Sequence, residues 1–110
     1  MKVYEILTEA KKLVRNRERW TKGAAARNKK GSVVATKSEE AVSWCINGAL
    51  YKVNGSSKGA GYIIQAAREL YPHSYRFSSI NGVNDGVNSH TQLMTIVNRA
   101  IEIAKEDERA

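Results

Sequence analysis

Residues 38–53, Ser-Glu-Glu-Ala-Val-Ser-Trp-Cys-Ile-Asn-Gly-Ala-Leu-Tyr-Lys-Val, constrain the fold more than any other stretch. Read at about 100° per residue, Ala41, Cys45, Gly48 and Ala49 fall on one side, with Val42, Ile46, Leu50 and Val53 beside them. Trp44 widens this apolar surface, and Ser43, Asn47 and Tyr51 form the polar line. A helix apolar nearly all round has to be covered by other helices. Ser38 suits an N-cap, and Glu39 and Glu40 suit the positive end of the helix dipole. Asn54-Gly55 can supply a left-handed C-cap. The stretch is expected to be the central helix of the fold.

The companions of that helix can be read in order. Val3, Ile6, Leu7, Ala10, Leu13 and Val14 make an amphipathic stripe over residues 2–15. Residues 17–37 carry no steady stripe. Asn28-Lys29-Lys30-Gly31 reads as a turn, and flanking segments near 23–27 and 32–35 are expected to form a short β-hairpin. Such a hairpin is marginal alone and must lean on the helices. Trp20 has two open readings: it anchors the core edge through its ring and indole N–H, or it stacks on a nucleobase.

A third helix is expected from a Ser56 or Ser57 cap to Tyr71, ended by Pro72. Gly59 and Gly61 either permit close packing or delay its start. Phe77, Ile80 and Val83 suggest a short helical turn in a loop-rich stretch. Ser89-His90-Thr91-Gln92 fits a capping box, with Gln92 reaching back to the Ser89 backbone. It opens a last helix with Leu93, Ile96, Val97, Ala100, Ile101 and Ala104 facing inward. The charged tail, residues 106–110, is expected to fray. The fold class is therefore mainly α with minor β: a single domain, 1–110, of four main helices around residues 38–53, with a hairpin near 23–35.

The 110 residues carry a formal charge of +7, and its distribution is lopsided. Residues 1–30 hold ten Lys and Arg against Glu5, Glu9 and Glu18, whereas residues 31–110 hold eight of each sign. Such asymmetry suits a polyanion binder. The expected nucleic-acid-binding set is Lys11, Lys12, Arg15, Arg17, Arg19, Lys22, Arg27, Lys29 and Lys30. The plainer alternative is a solvated surface. No run approaches the roughly 18 apolar residues of a membrane span. Nor does the N-terminus carry a signal-peptide core, so a cytoplasmic protein is expected.

Chemistry is sparsely signalled. Cys45 is the only cysteine, which rules out an intrachain disulfide, and a lone thiol in an apolar stretch reads as core packing. Asn84, Asp85 and His90 form a possible functional polar cluster, in which Asp85 could orient His90 and Cys45 could complete a nucleophile set. Asn-Asp-Gly is also ordinary turn chemistry. The residues make no convincing metal set and no phosphate loop, so neither a metal nor a cofactor is expected.

The order of Trp20, Trp44-Cys45-Ile46-Asn47-Gly48-Ala49-Leu50, Asn84-Asp85, His90-Thr91 and Asn98-Arg99-Ala100-Ile101 resembles the DUF6197-type family, small bacterial and phage proteins of unknown function. The resemblance covers about residues 2–105. Relatives more often read Trp-Asn-Asp where this chain has Val83-Asn84-Asp85. It implies a shared helical fold and a possible phage setting, and transfers no catalytic residue. Three functions are carried forward. The first is a non-enzymatic module binding nucleic acid or another polyanion with little sequence specificity. The others are a phage-encoded modulator that binds a host protein, and a small enzyme using Asp85 and His90.

Overall fold

The computed structural model describes residues 1–109. Five helices, α1 Val3–Val14, α2 Ile46–Asn54, α3 Ala60–Leu70, α4 Ile80–Gly86 and α5 His90–Arg109, surround one core, with strands β1 Ala26–Arg27 and β2 Ser43–Trp44 at its edge. The fold is mainly α with a small antiparallel sheet. α1 packs on both α2 and α5, and α5 packs on α3. Ile6, Leu7, Ile46, Leu50, Ile63, Leu93 and Ile96 are fully enclosed between them. No helix among the described residues is long and apolar enough to cross a membrane.

Most of the stripes of α1 and α5 is buried, but Val3, Leu13 and Ile101 are only half-buried, and Ile103, outside the expected set, is buried in α5. α1 begins with the Lys2 backbone N–H donating to Glu5 Oε1 at 2.7 Å. At the start of α5, Gln92 N–H donates to Ser89 Oγ at 3.1 Å. The Gln92 side chain does not return to the Ser89 backbone; its Oε1 accepts the Asn88 N–H at 2.7 Å, so the clasp is shifted one residue outward. α5 stays helical through the charged tail to Arg109, where Glu108 meets Lys2 at 3.1 Å and Asp107 accepts from the Tyr62 hydroxyl at 2.7 Å.

The stretch 38–53 is not one helix. Only Ile46–Asn54 is helical, and the eight residues before it turn and then run as strand. Ser38 caps a turn instead, its Oγ accepting the Glu40 N–H at 3.1 Å. The cause is tertiary: Trp44 and Ser43 pair with Ala26 and Arg27, and that pairing outweighs local helical spacing. α2 is capped by Cys45, whose Sγ accepts the Gly48 N–H at 3.2 Å. It ends, as read from Asn54-Gly55, at Gly55 with φ 74°.

The 23–35 hairpin is likewise reduced. Its turn forms, with Asn28 Oδ1 accepting from Lys30 and Ser32 N–H groups and Gly31 at φ 84°. Its arms meet only as one bridge, Arg27 to Val33, on one edge of β1, while the other edge of β1 pairs with β2. α3 starts late, at Ala60, with Gly59 rather than Ser56 or Ser57 at its N-cap. Gly59 has φ 101° and lies against Leu7, so the chain rounds α1 tightly there.

Gly48 marks the closest crossing. A Cβ there would run into the carbonyl oxygen of Ala25, so the Ala25 backbone sits directly on bare helix backbone. Gly61, by contrast, faces open space. Gly48→Ala is expected to destabilise the chain by about 1–3 kcal/mol, through forced movement in a packed region. Gly61→Ala is expected to stabilise it by about 0.5 kcal/mol, because the unfolded chain loses freedom. Urea titration of both variants reads the opposite signs; equal shifts would contradict this packing.

Candidate nucleic-acid interface

Asn84 is fully buried in α4, and its carboxamide is fully used. Oδ1 accepts from the Trp20 indole N–H at 2.8 Å and from the Ile46 backbone N–H at 2.9 Å. Nδ2 donates to the Thr21 carbonyl and to Asp85 Oδ1, both at 3.0 Å. Two donors and two lone pairs exhaust an amide's capacity, and the partners fix its orientation: the first two only donate and the last two only accept. Asn84 is thereby a structural joint between the segment after α1, the start of α2, and α4.

Around this joint the polar cluster is spread out. Asp85 Oδ1 also accepts the Gly23 N–H at 3.2 Å. His90 turns the other way: its Nε2 lies 2.7 Å from the Val14 carbonyl, and its ring packs against Trp20 at 5.6 Å. Lys22 Nζ covers the same indole at 5.5 Å while donating to the Val87 carbonyl. Trp20 therefore joins the core edge, held by its N–H and covered by two neighbours, which is the packing reading of that residue.

Cys45 and Asp85 line one small cleft of about 250 Å³, together with Asn47 and Asn81. His90 is not part of it. Burial pushes the Cys45 thiol above its ordinary range, only partly opposed by the Gly48 hydrogen bond, so the sulfur stays protonated and serves as a cap. Among the described residues no three His, Cys, Asp or Glu gather as a metal set.

The basic residues divide into bound and free. Arg27 is internal: Nε donates to Thr21 Oγ1, and the guanidinium holds the Gly31 and Lys22 carbonyls at 3.0 and 3.2 Å. It staples the 21–31 loop. Lys22 is tied to Val87, and Lys12 pairs with Glu9 at 2.7 Å. Lys11, Arg15, Arg17, Arg19, Lys29 and Lys30 have no carboxylate within 4 Å among the described residues. Lys29 and Lys30 sit exposed at the tip of the Asn28–Gly31 turn.

A groove of about 910 Å³ runs along α1 and past the C-terminal ends of α2 and α5. Of the expected set only Lys12 and Arg19 line it. Lys52 from α2 and Lys105 from α5 join them, with Glu5 and Glu9 on the α1 side. Lys105 Nζ stands 5.7 Å from the Tyr4 ring, and the two line a second hollow with Lys2, Glu108 and Arg109. Lys52 and Lys105 escape a reading based on charge along the chain, because they lie in a region of zero net charge. Their one signal is position: each is a base in or near the last turns of a helix.

Residues 1–103 match a family of unknown function, DUF6197, and the chain belongs to that family. No curated protein and no solved structure matches it.

Removal of the Asn84 carboxamide tests the joint. Asn84→Ala strands the Trp20 indole N–H, the Ile46 N–H and the Thr21 carbonyl, each at about 1–3 kcal/mol when buried. A loss of about 3 kcal/mol or more in urea unfolding is expected, with Trp20 emission shifted to the red. A loss below about 1 kcal/mol would show that water replaces these bonds freely.

Proposed function

We propose that this chain, a member of a family without assigned activity, is a non-enzymatic module that binds a polyanion. Nucleic acid is the proposed partner, with little sequence specificity. The observation that carries this reading is the meeting of Arg19, Lys52 and Lys105 along one groove, from three separate elements. None has a carboxylate within 4 Å among the described residues. Lys12, Arg19, Lys52 and Lys105 outnumber Glu5 and Glu9 along the groove, and a net positive lining favours an anionic ligand. Arg15 and Arg17 extend the positive surface where α1 ends. In the acidic tail of α5, Glu106 pairs with Arg99, while Glu108 pairs with Lys2 in the hollow that Lys105 also lines.

A flexible lysine or arginine fits a phosphate but reads no base, which accounts for the low specificity proposed. The enzymatic reading through Asp85 and His90 has less support, because both side chains are engaged by this chain's own backbone and point to different places. A phage-encoded modulator of a host protein is the competing proposal, and salt separates the two.

Fluorescence anisotropy with a labelled oligonucleotide is the test. Affinity is expected to fall at least tenfold between about 50 and 200 mM salt, because releasing condensed counterions gains less entropy in more concentrated salt. Replacing Arg19, Lys52 and Lys105 by Gln should lower the slope of log affinity against log salt by about 2–3, at nearly one per phosphate contact. Arg27 is left intact because it holds its loop together. No binding at low salt, or binding indifferent to these replacements, overturns the proposal. A salt-resistant stoichiometric protein partner would favour the modulator.

A further inference from the structure

The loop between α3 and α4, residues 71–79, is built to hold an aromatic ring and a cation in the open. Phe77 is buried and meets Tyr71 edge-on at 6.0 Å, which pins the loop at both sides of its middle. Ser79 caps α4 by accepting the Gly82 N–H at 2.9 Å. Gly82 and Gly86 leave one face of α4 bare, and Arg76 lies on it. A Cβ at Gly82 would strike the Arg76 carbonyl, and a Cβ at Gly86 would press on the Arg76 side-chain stem. The backbone and stem of Arg76 are thus fixed, and its guanidinium is 5.8 Å from the Tyr75 ring. Tyr75 itself is 85% exposed, the most open large apolar side chain of the chain's described residues.

Beside this pair is a groove of about 560 Å³, lined also by Leu70, Tyr71 and His73 and reaching Asn88 and Gln92 at the start of α5. Among the described residues no carboxylate lines it. The same end of α5 touches α1 through His90 and the Val14 carbonyl, immediately before the exposed Arg15 and Arg17. The first turn of α5 is therefore a wall shared by the groove and the cationic end of α1.

We infer that this groove is a base-stacking subsite for single-stranded nucleic acid, with Tyr75 taking the face of a base and Arg76 the neighbouring phosphate. The inference rests on the polyanion reading and narrows it. A ring held in water beside a positioned guanidinium offers both of a nucleotide's binding elements, the π-face and the charge. A duplex hides its base faces in the stack and cannot use the ring. An acidic peptide would engage Arg76 and leave Tyr75 idle.

Anisotropy on the intact chain compares an oligothymidylate, an abasic strand with the same number of phosphates, and a duplex. The oligothymidylate is expected to bind at least about fivefold tighter than the abasic strand, the lower bound for one stacked base. Tyr75→Ala should abolish that difference and Tyr75→Phe should keep it; at 85% exposure neither change touches the core. Equal binding of the base-bearing and abasic strands overturns this inference while leaving the basic groove standing. So does a preference for duplex, a difference that survives Tyr75→Ala, or a polyglutamate peptide that competes as well as unlabelled oligothymidylate. No binding by any strand at low salt overturns the polyanion reading, and this one with it.

Discussion

One buried amide decides how this chain is put together. Asn84 joins the indole of Trp20, the carbonyl of Thr21 and the first helical N–H of α2, from a position with no access to water. In an apolar interior each of these groups would be costly without a partner, and a network with every member satisfied selects one arrangement over many. The consequence reaches well beyond the bonds. α2 begins where its backbone finds Asn84 and the Cys45 cap, and the segment before it is free to run as β2 alongside β1. Trp20 is fixed in turn, and His90 packs on it to bring α5 against the end of α1.

This internal economy also shapes the surface. Arg27 and Lys22 are consumed in holding the loop after α1, which removes two cations from any outward role. The carboxylates of α5 are engaged by Lys2, Arg99 and the Tyr62 hydroxyl, and Arg99 also reaches Glu69 across to α3. The bases left outside ion pairs among the described residues include Arg15 and Arg17 at the end of α1, Lys29 and Lys30 at the 28–31 turn, and Lys52 and Lys105 along the groove, with a ring-and-cation pair on the α3–α4 loop. Polyanion binding is proposed from that residue of charge, not from any single motif.

Elements governed by local chemistry were legible in the sequence. The stripes of α1 and α5, the Gly31 turn, the Gly55 terminus and the stop before Pro72 each depend on residues within a turn or two. The segment 38–45 was not, because its helical spacing is overridden by a strand partner that lies some way back in the chain, at Ala26–Arg27. Asn84 could be singled out as polar but not as buried: next to Asp85 and Gly86 it resembles a turn, and only the fold encloses it. Arg19 and Lys12 do line the groove, whereas counting charge along the chain cannot find Lys52 and Lys105, which only folding brings beside them.

The most direct test of the central claim is native-state hydrogen exchange at two protons, the Trp20 indole N–H and the Ile46 amide. If the Asn84 oxygen holds both in a closed core, they should exchange only through global unfolding, with opening free energies equal to those of buried amides such as Leu93 and Ile96. Exchange through a local opening far cheaper than unfolding would show that the joint is loose, and that something else sets the start of α2.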